Sequence, residues 1–282
     1  MDGGTGRCLC GNVRYRFEGT PNWQVHCHCE SCRRATSSPF TSFFAVDRAR
    51  FGWVASTPAE YRSSPGATRA FCPRCGSQMA YQSHERSHEI DLYACTLDAP
   101  ETFAATAHVH AQERLPWLRL ADGLPRRYTP RRLEPGDDMG PVLDLIRTEF
   151  AYMDGVIDPP SSMHRLSLDD IARQAGAGEV WVIEERDSLI ACVFLTPKAD
   201  ALYVGKLAVA GARRGEGLAR QLIDHAAVRA RARGLGALEL QTRVELSANQ
   251  RAFAAMGFVP AGETAHEGFD RATSRTYRRA LD

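Results

Sequence analysis

The chain has 282 residues, 44% hydrophobic and 24% charged, with 23 glycines and 15 prolines. At about 150 residues per domain this describes a globular protein of two domains, with enough apolar side chains to bury two cores. Its 35 basic and 34 acidic residues leave a formal charge of +1, divided as 15 against 12 up to residue 127 and 20 against 22 after it. Neither part has the basic excess of a nucleic-acid binder. No apolar run approaches the ~20 residues of a membrane span, and Met1-Asp2-Gly3-Gly4 lacks the basic and apolar regions of a signal peptide. A cytoplasmic protein without membrane or nucleic-acid partners is expected.

Residues 1–128 read as short strands separated by turns. Val13-Arg14-Tyr15-Arg16-Phe17 alternates apolar and polar, as a half-buried strand does. Further strands are expected at Phe40 to Val46, Ala70-Phe71, Gln78 to Tyr81, Ile90 to Ala94 and Thr106 to His110, with Gly and Pro between them and no long amphipathic helix. This predicts an all-β domain whose small core is stapled by metal.

The boundary falls in the Pro-, Arg- and Thr-rich stretch Pro125 to Pro130, and residues 129–282 follow another pattern. Asp137-Asp138 and Pro141 open a helix with Val142, Leu145, Ile146, Phe150 and Met153 on one face, and Ser167-Leu168-Asp169-Asp170 opens a shorter one. Val180 to Glu184 and Leu189 to Leu195 flank a turn at Asp187-Ser188, predicting a hairpin, and Leu202 to Val209 is another strand. Gly217 to Arg233 predicts a helix that buries Leu218, Leu222, Ile223, Ala226 and Ala230. Gly234 caps it, and Arg229, Arg231 and Arg233 stand at its negative end, while His225 falls on its polar, solvated face. A strand at Ala237 to Arg243, a helix at Ser247 to Met256 and a last strand or two complete the domain.

Nine cysteines are unevenly spread, with eight at or before Cys95 and only Cys192 beyond. Clusters of short spacing in a reducing compartment are metal ligands more often than disulfides. Three groups stand out: Cys8-x-Cys10, Cys27-x-Cys29-x-x-Cys32 and Cys72-Pro-x-Cys75-Gly. Zinc takes four ligands in a closed structural site, and three plus an open position in a catalytic one. The seven cysteines divide naturally as four plus three: Cys8, Cys10, Cys72 and Cys75 closing a tetrahedron from distant segments, and Cys27, Cys29 and Cys32 leaving one position open. The spacing also permits other pairings, one structural site with spare buried thiols, or ligation by His26 or His28. Cys95 and Cys192, in apolar strand contexts, read as core residues.

These residues carry a resemblance. Gly6-Arg7-Cys8-Leu9-Cys10-Gly11-x-Val13-Arg14-Tyr15, His26-Cys27-His28-Cys29-x-x-Cys32-Arg33-Arg34 and Phe71-Cys72-Pro73-Arg74-Cys75-Gly76 resemble the glutathione-dependent formaldehyde-activating enzyme family, which is also grouped with centromere protein V. Thr96-Leu97-Asp98, His108-Val109 and Pro116-Trp117 fit as well. The resemblance implies an Mss-four-like β-tent fold with two zinc ions per chain, a structural one on Cys8, Cys10, Cys72 and Cys75 and an open one on Cys27, Cys29 and Cys32. It also implies carbon–sulfur lyase chemistry on adducts of glutathione or another thiol, whose pKa the metal lowers. Arg33 and Arg34 are candidates for holding substrate carboxylates.

In the second part, a strand ending Leu207-Ala208-Val209 runs into Arg213-Arg214-Gly215-Glu216-Gly217-Leu218-Ala219 and then an amphipathic helix. A glycine turn at a helix N-terminus lets backbone N–H groups approach a pyrophosphate. One more strand is followed by Asn249-x-x-x-Phe253-x-x-x-Gly257-Phe258. Together with Arg131-Arg132-Leu133-Glu134-Pro135-Gly136-Asp137, these resemble the GNAT acyltransferase family. The resemblance implies an α/β fold with a mixed sheet and helices on both faces, and acetyl-CoA as co-substrate. It places pantetheine along the backbone of Leu207 and Val209, pyrophosphate at Arg214, Gly215, Gly217, Leu218 and Ala219, and Asn249 at the cofactor. A small-molecule amine would attack the thioester directly.

Many relatives place a tyrosine where Phe253 stands, to protonate the departing CoA thiolate. Ser247, Asn249 or an ordered water are candidates to substitute, and Glu245, Tyr203 and His266 are candidates for the general base. The expectation is a fusion of a lyase-like zinc domain and an N-acetyltransferase. Two rivals remain: an acetyltransferase whose zinc domain is only a structural or substrate-binding module, and an acyl-CoA-binding sensor.

Overall fold

The computed structural model describes residues 1–281. The chain forms two compact units, Met1–Arg127 and Tyr128–Asp282.

The first unit is built from strands, with a single short α-helix among its described residues. In chain order it contains β1 (Gly4–Arg7), β2 (Arg14–Phe17), β3 (Trp23–Cys27), helix α1 (Glu30–Thr36), β4 (Thr41–Asp47), β5 (Phe51–Trp53) and β6 (Ala59–Ser64). These are followed by β7 (Ala67–Phe71), β8 (Gln78–Ser83), β9 (Glu89–Tyr93) and β10 (His108–Val109). A three-stranded sheet β1-β2-β5 stands beside a seven-stranded sheet of order β10-β3-β4-β9-β8-β7-β6, antiparallel except where β10 runs parallel to β3. The alternation in β2 turns Tyr15 and Phe17 into the core, where they join Phe44, Met79, Ile90 and Leu92. Tyr15 is fully buried, and its hydroxyl is 2.9 Å from that of Thr96. The ring leaves no room at Gly6, where a Cβ would lie 2.3 Å from it. Cys95, expected in the core, is exposed, because the chain leaves β9 for a one-turn 3-10 helix at Ala94–Thr96.

The second unit contains β11 (Arg131–Leu133), α2 (Gly140–Phe150), α3 (Leu168–Ala177), β12 (Glu179–Glu185), β13 (Ser188–Pro197), β14 (Ala201–Val209) and α4 (Leu218–Arg231). It continues with β15 (Ala237–Arg243), α5 (Ser247–Ala255), β16 (Val259–Thr264) and β17 (Ser274–Ala280). One seven-stranded sheet has the order β11-β12-β13-β14-β15-β17-β16. Its pairs are antiparallel except β14 with β15, so the sheet is mixed. Ser167 caps α3 by a reciprocal capping box with Asp170. Alternation along β12 sends Val180 and Val182 to the face covered by α2 and α3, with Cys192, Phe194 and Ala208. Trp181 takes the other face and meets His225 of α4, ring centroids 4.1 Å apart. Helices therefore cover both faces. His225 is accordingly not solvated: burial against Trp181 lowers its pKa, and its Nε2 has no hydrogen-bond partner among the described residues. Helix α4 ends at Arg231, two residues sooner than its pattern predicts, and the chain turns away at Gly234, whose φ of +69° is left-handed. Arg229 and Arg233 turn to the buried carboxylate of Glu179.

Parallel pairing of β14 with β15 runs only from Ala201↔Ala237 to Tyr203↔Glu239. Beyond that point β14 stays with β13 and β15 with β17. The two strands diverge, and the edge of β14 from Val204 to Val209 faces a gap in the sheet.

Candidate functional site

The sulfurs of Cys8, Cys10, Cys72 and Cys75 all lie within 4.8 Å of one another. Cys8 to Cys10 is 3.6 Å and Cys10 to Cys72 is 3.8 Å. Tetrahedral thiolates bonded to zinc at about 2.3 Å sit about 3.8 Å apart, whereas a disulfide is about 2.05 Å. The set therefore fits a four-coordinate ion. Two turns build it: Cys8 follows β1, and Cys72-Pro73-Arg74-Cys75 leaves β7, where Gly76 at φ +76° reverses the chain. Buried Cys8 and Cys72 join the hydrophobic core directly, so a metal there would tie the two sheets together.

Cys27, Cys29 and Cys32 form a second group within 4.8 Å. Cys27 ends β3, Cys29 is the N-cap of α1, and Cys32 lies in its first turn, with its N–H donating to the Cys29 sulfur at 3.3 Å. Hydrogen bonds from Cys27 and Cys32 hold the Cys29 thiol far below its ordinary range, and the same sharing pushes Cys27 up. Three sulfurs this close suit a single cation, and they leave a fourth position for another ligand. The histidine rings are not part of either sulfur group. His26 Nδ1 is 2.9 Å from the Ser42 hydroxyl, and His28 Nε2 is 2.9 Å from His108 Nδ1, whose Nε2 meets Asp122 at 3.0 Å.

Residues that the sequence did not single out support this second group. Buried Arg69 on β7 donates to the Tyr93 hydroxyl and to Ser31 Oγ, both at 2.9 Å, and points Nη2 at the Cys32 sulfur 3.7 Å away. No local spacing signals it, since β7 and α1 meet only in the fold. Arg33 donates Nε to the His28 carbonyl, while Arg34 pairs with Glu30 at the surface.

In the second unit the strand gap opens into a cavity of about 1050 Å³. Leu207 and Val209 line it from β14, Arg214 and Ala219 from the glycine turn and α4, and Asn249 and Phe253 from α5. The Ala210 N–H donates to the Ile190 carbonyl across β13, so the Val209 N–H points to the opposite edge, into the gap. Gly215 and Gly217 have φ of +85° and +80°. No side chain caps α4 at Gly217, so its first-turn N–H groups stay open to an anion. Leu218 is buried in the core and does not line the cavity. Arg214 pairs with Glu149 at 2.6 Å, and Glu149 also accepts the Gly211 N–H at 2.7 Å. Arg213 is a bracket for the turn, holding Glu185, Glu216 and the Tyr128 hydroxyl.

The candidate catalytic residues are divided by the fold. Tyr203 and His266 line the cavity, as does Asn249, whose amide donates to the Tyr152 hydroxyl. Ser247 begins α5, and Glu245 sits beside Arg243 and Arg271; neither lines this cavity. Phe253 packs edge-on against Phe258.

Comparison with known proteins agrees with this division. The family model described as glutathione-dependent formaldehyde-activating enzyme matches residues 4–113, and that of the acetyltransferase (GNAT) family matches residues 143–258. An uncharacterised lyase of Schizosaccharomyces pombe is 32% identical over 90 residues, 31% of this chain and 65% of that protein. The chain thus spans under two thirds of the curated relative it matches. Solved structures similar to this chain include the IAA acetyltransferase from Bacillus cereus ATCC 14579 (18% identity, 54% of this chain and 99% of that chain, TM-score 0.40). Another is a GNAT family acetyltransferase from Elizabethkingia anophelis with acetyl-CoA bound (16% identity, 54% and 97%, TM-score 0.40). The chain carries a glutathione-dependent formaldehyde-activating-type domain at residues 4–113 and a GNAT acetyltransferase domain at residues 143–258.

Proposed function

We propose that this chain combines an N-acetyltransferase with a zinc-dependent lyase-like domain acting on thiol adducts. The observation that carries the first part is the gap between β14 and β15, opening beside the uncapped N-terminus of α4. An extended pantetheine laid along β14 would use backbone groups that β15 leaves unpaired, and the diphosphate would meet the N–H groups after Gly217. The Val209 N–H is aimed to polarise the thioester carbonyl as the amine attacks it. Attack forms the C–N bond and breaks the C–S bond, with no covalent link to the protein.

In the first domain, Cys8, Cys10, Cys72 and Cys75 would hold a structural zinc ion and Cys27, Cys29 and Cys32 a second one. A zinc ion bound there supplies Lewis acidity and lowers the pKa of a thiol entering its free position. Arg69 holds α1 in place, and the His28–His108–Asp122 chain fixes the link between Cys27 at the end of β3 and Cys29 at the start of α1.

The test is release of free thiol from acetyl-CoA with a panel of primary amines, run beside calorimetric titration of acetyl-CoA. Turnover with any amine supports transfer. Micromolar binding without turnover favours the acyl-CoA sensor, a reading that Phe253 in the cavity also suits. For the lyase part, the zinc-loaded chain is mixed with glutathione and formaldehyde, and adduct exchange is followed by NMR. Exchange no faster than in buffer reduces the domain to a structural module.

A further inference from the structure

The acyl-transfer reading needs a proton for the departing thiolate, and the ring of Phe253 has none to give. Residues Asn249 and Phe253 lie four apart on α5, so they share a face, one turn apart. The Asn249 amide donates to the Tyr152 hydroxyl at 2.9 Å across 97 residues of sequence. An amide N–H fills one acceptor site of the phenol oxygen and leaves the phenol's own proton free for another acceptor. Tyr152 is in the 3-10 turn Ala151–Met153 that follows α2. Its neighbours Phe150 and Met153 are anchored in an apolar cluster with Ile157 and Leu246, while Tyr152 itself is 47% exposed. Both Tyr152 and Asn249 line the cavity that contains Val209 and Arg214.

We propose that Tyr152, oriented by Asn249, is the proton donor of the acyl-transfer site, taking the place that the phenyl ring of Phe253 cannot fill. The inference rests on the acyl-transfer reading. As the amine nitrogen bonds to the carbonyl carbon and the C–S bond breaks, the Tyr152 O–H proton passes to the sulfur. The proton shed by the attacking nitrogen returns to the phenolate through solvent, so no further reagent is consumed. Three other groups are less suited: His164 is paired with Asp154 at 2.7 Å, and Ser247 and Glu245 do not line the cavity.

The experiment compares wild type, Tyr152→Phe and Tyr152→Phe/Phe253→Tyr in full-length protein. It measures kcat for thiol release against pH with one accepted amine, and the acetyl-CoA Kd by calorimetry. Tyr152→Phe is expected to lower kcat by about 10²-fold, the scale of a lost general acid, with Kd within about twofold. The high-pH fall of the kcat profile should vanish with it. Restoring a phenol on α5 should return kcat to within about tenfold of wild type. A Tyr152→Phe enzyme with wild-type kcat, or one that is slow but keeps the high-pH fall, overturns the proposal. So does a double variant that binds acetyl-CoA normally and stays as slow as the single one. A wild-type chain that acetylates no amine refutes the acyl-transfer reading itself and this assignment with it, whereas an active wild type with an indifferent Tyr152 refutes this assignment alone.

Discussion

The sulfur of Cys10 lies 3.8 Å from that of Cys72, although 62 residues separate them. One turn after β1 and one after β7 meet there, so the four-thiol set joins distant segments, while the three-thiol set is local, spanning only Cys27 to Cys32 beside Phe43 and Tyr93. The two groups should therefore behave differently when broken. Cys72→Ser is expected to lose one metal equivalent and to lower the melting point of the first domain by about 10 °C or more, since a core-joining cross-link is lost. Cys29→Ser should also lose one equivalent but shift melting by only about 3 °C. Elemental analysis and scanning calorimetry read both, and equal melting losses would contradict the division into structural and open sites.

Arg69 reaches the second group through Ser31 and the Cys32 sulfur. Replacing it by methionine keeps volume but removes the hydrogen bonds to Tyr93, Ser31 and Cys32. Groups that orient metal ligands typically contribute about 10–100-fold in affinity, so Arg69→Met should weaken zinc retention by that factor at one of two sites. Competition with a chelator of known affinity measures it. Two sites unchanged in strength would show that Arg69 only packs.

Glu179 is fully buried between Arg229, Arg233 and the Trp181 indole N–H. Burial pushes its pKa up, but hydrogen bonds from these partners outweigh that and hold it down at about 2. A carboxyl depressed in the folded state stabilises the fold above its unfolded pKa of about 4.3, and that contribution fades as pH falls toward about 2. Glu179→Gln should cost about 2–3 kcal/mol at pH 7, at or just below the range for a broken buried pair, because the arginines keep partial access to water. Urea unfolding of both proteins at pH 7, 5 and 3.5 should show the gap closing only below pH 5. A gap that is constant with pH would remove the carboxylate's charge from the explanation.

Gly217 has φ of +80° with open space around it, so a side chain there is opposed by backbone strain and not by a clash. Gly217→Val should weaken acetyl-CoA binding about tenfold, with about 1–2 kcal/mol of strain displacing the turn and its N–H groups. Gly236, equally uncrowded and without positive φ, serves as the control: Gly236→Ala should bind as wild type. Equal affinities in all three proteins would place the diphosphate elsewhere.

Much of the fold was legible from short-range patterns. The alternation Tyr15-Arg16-Phe17, the capping residues Ser167 and Asp170, and the apolar stripe of α4 each act over a few residues, and each element formed where its pattern stood. The first unit's strands at Trp23–Cys27 and Ala59–Ser64 were not foreseen. The former carries mixed residues between its sheet neighbours, and the latter is an edge strand that is mostly exposed, so neither shows the alternation that burial imposes. Cys95 misled for the opposite reason: its apolar surroundings belong to β9, and the chain turns outward one residue earlier.

The sequence by itself determined which residues could bind a metal and where a glycine turn would open a helix, because ligand spacing and left-handed backbone are local properties. Only the tertiary structure decided how those pieces combine. The gathering of Cys8, Cys10, Cys72 and Cys75, the divergence of β14 from β15 and the guard of Arg229 and Arg233 over Glu179 all depend on contacts between distant segments. So does the hydroxyl of Tyr152 that meets Asn249 beside Phe253. Sheet pairing and core packing bring such groups together, and no spacing along the chain records which distant side chain will fill a place left vacant nearby.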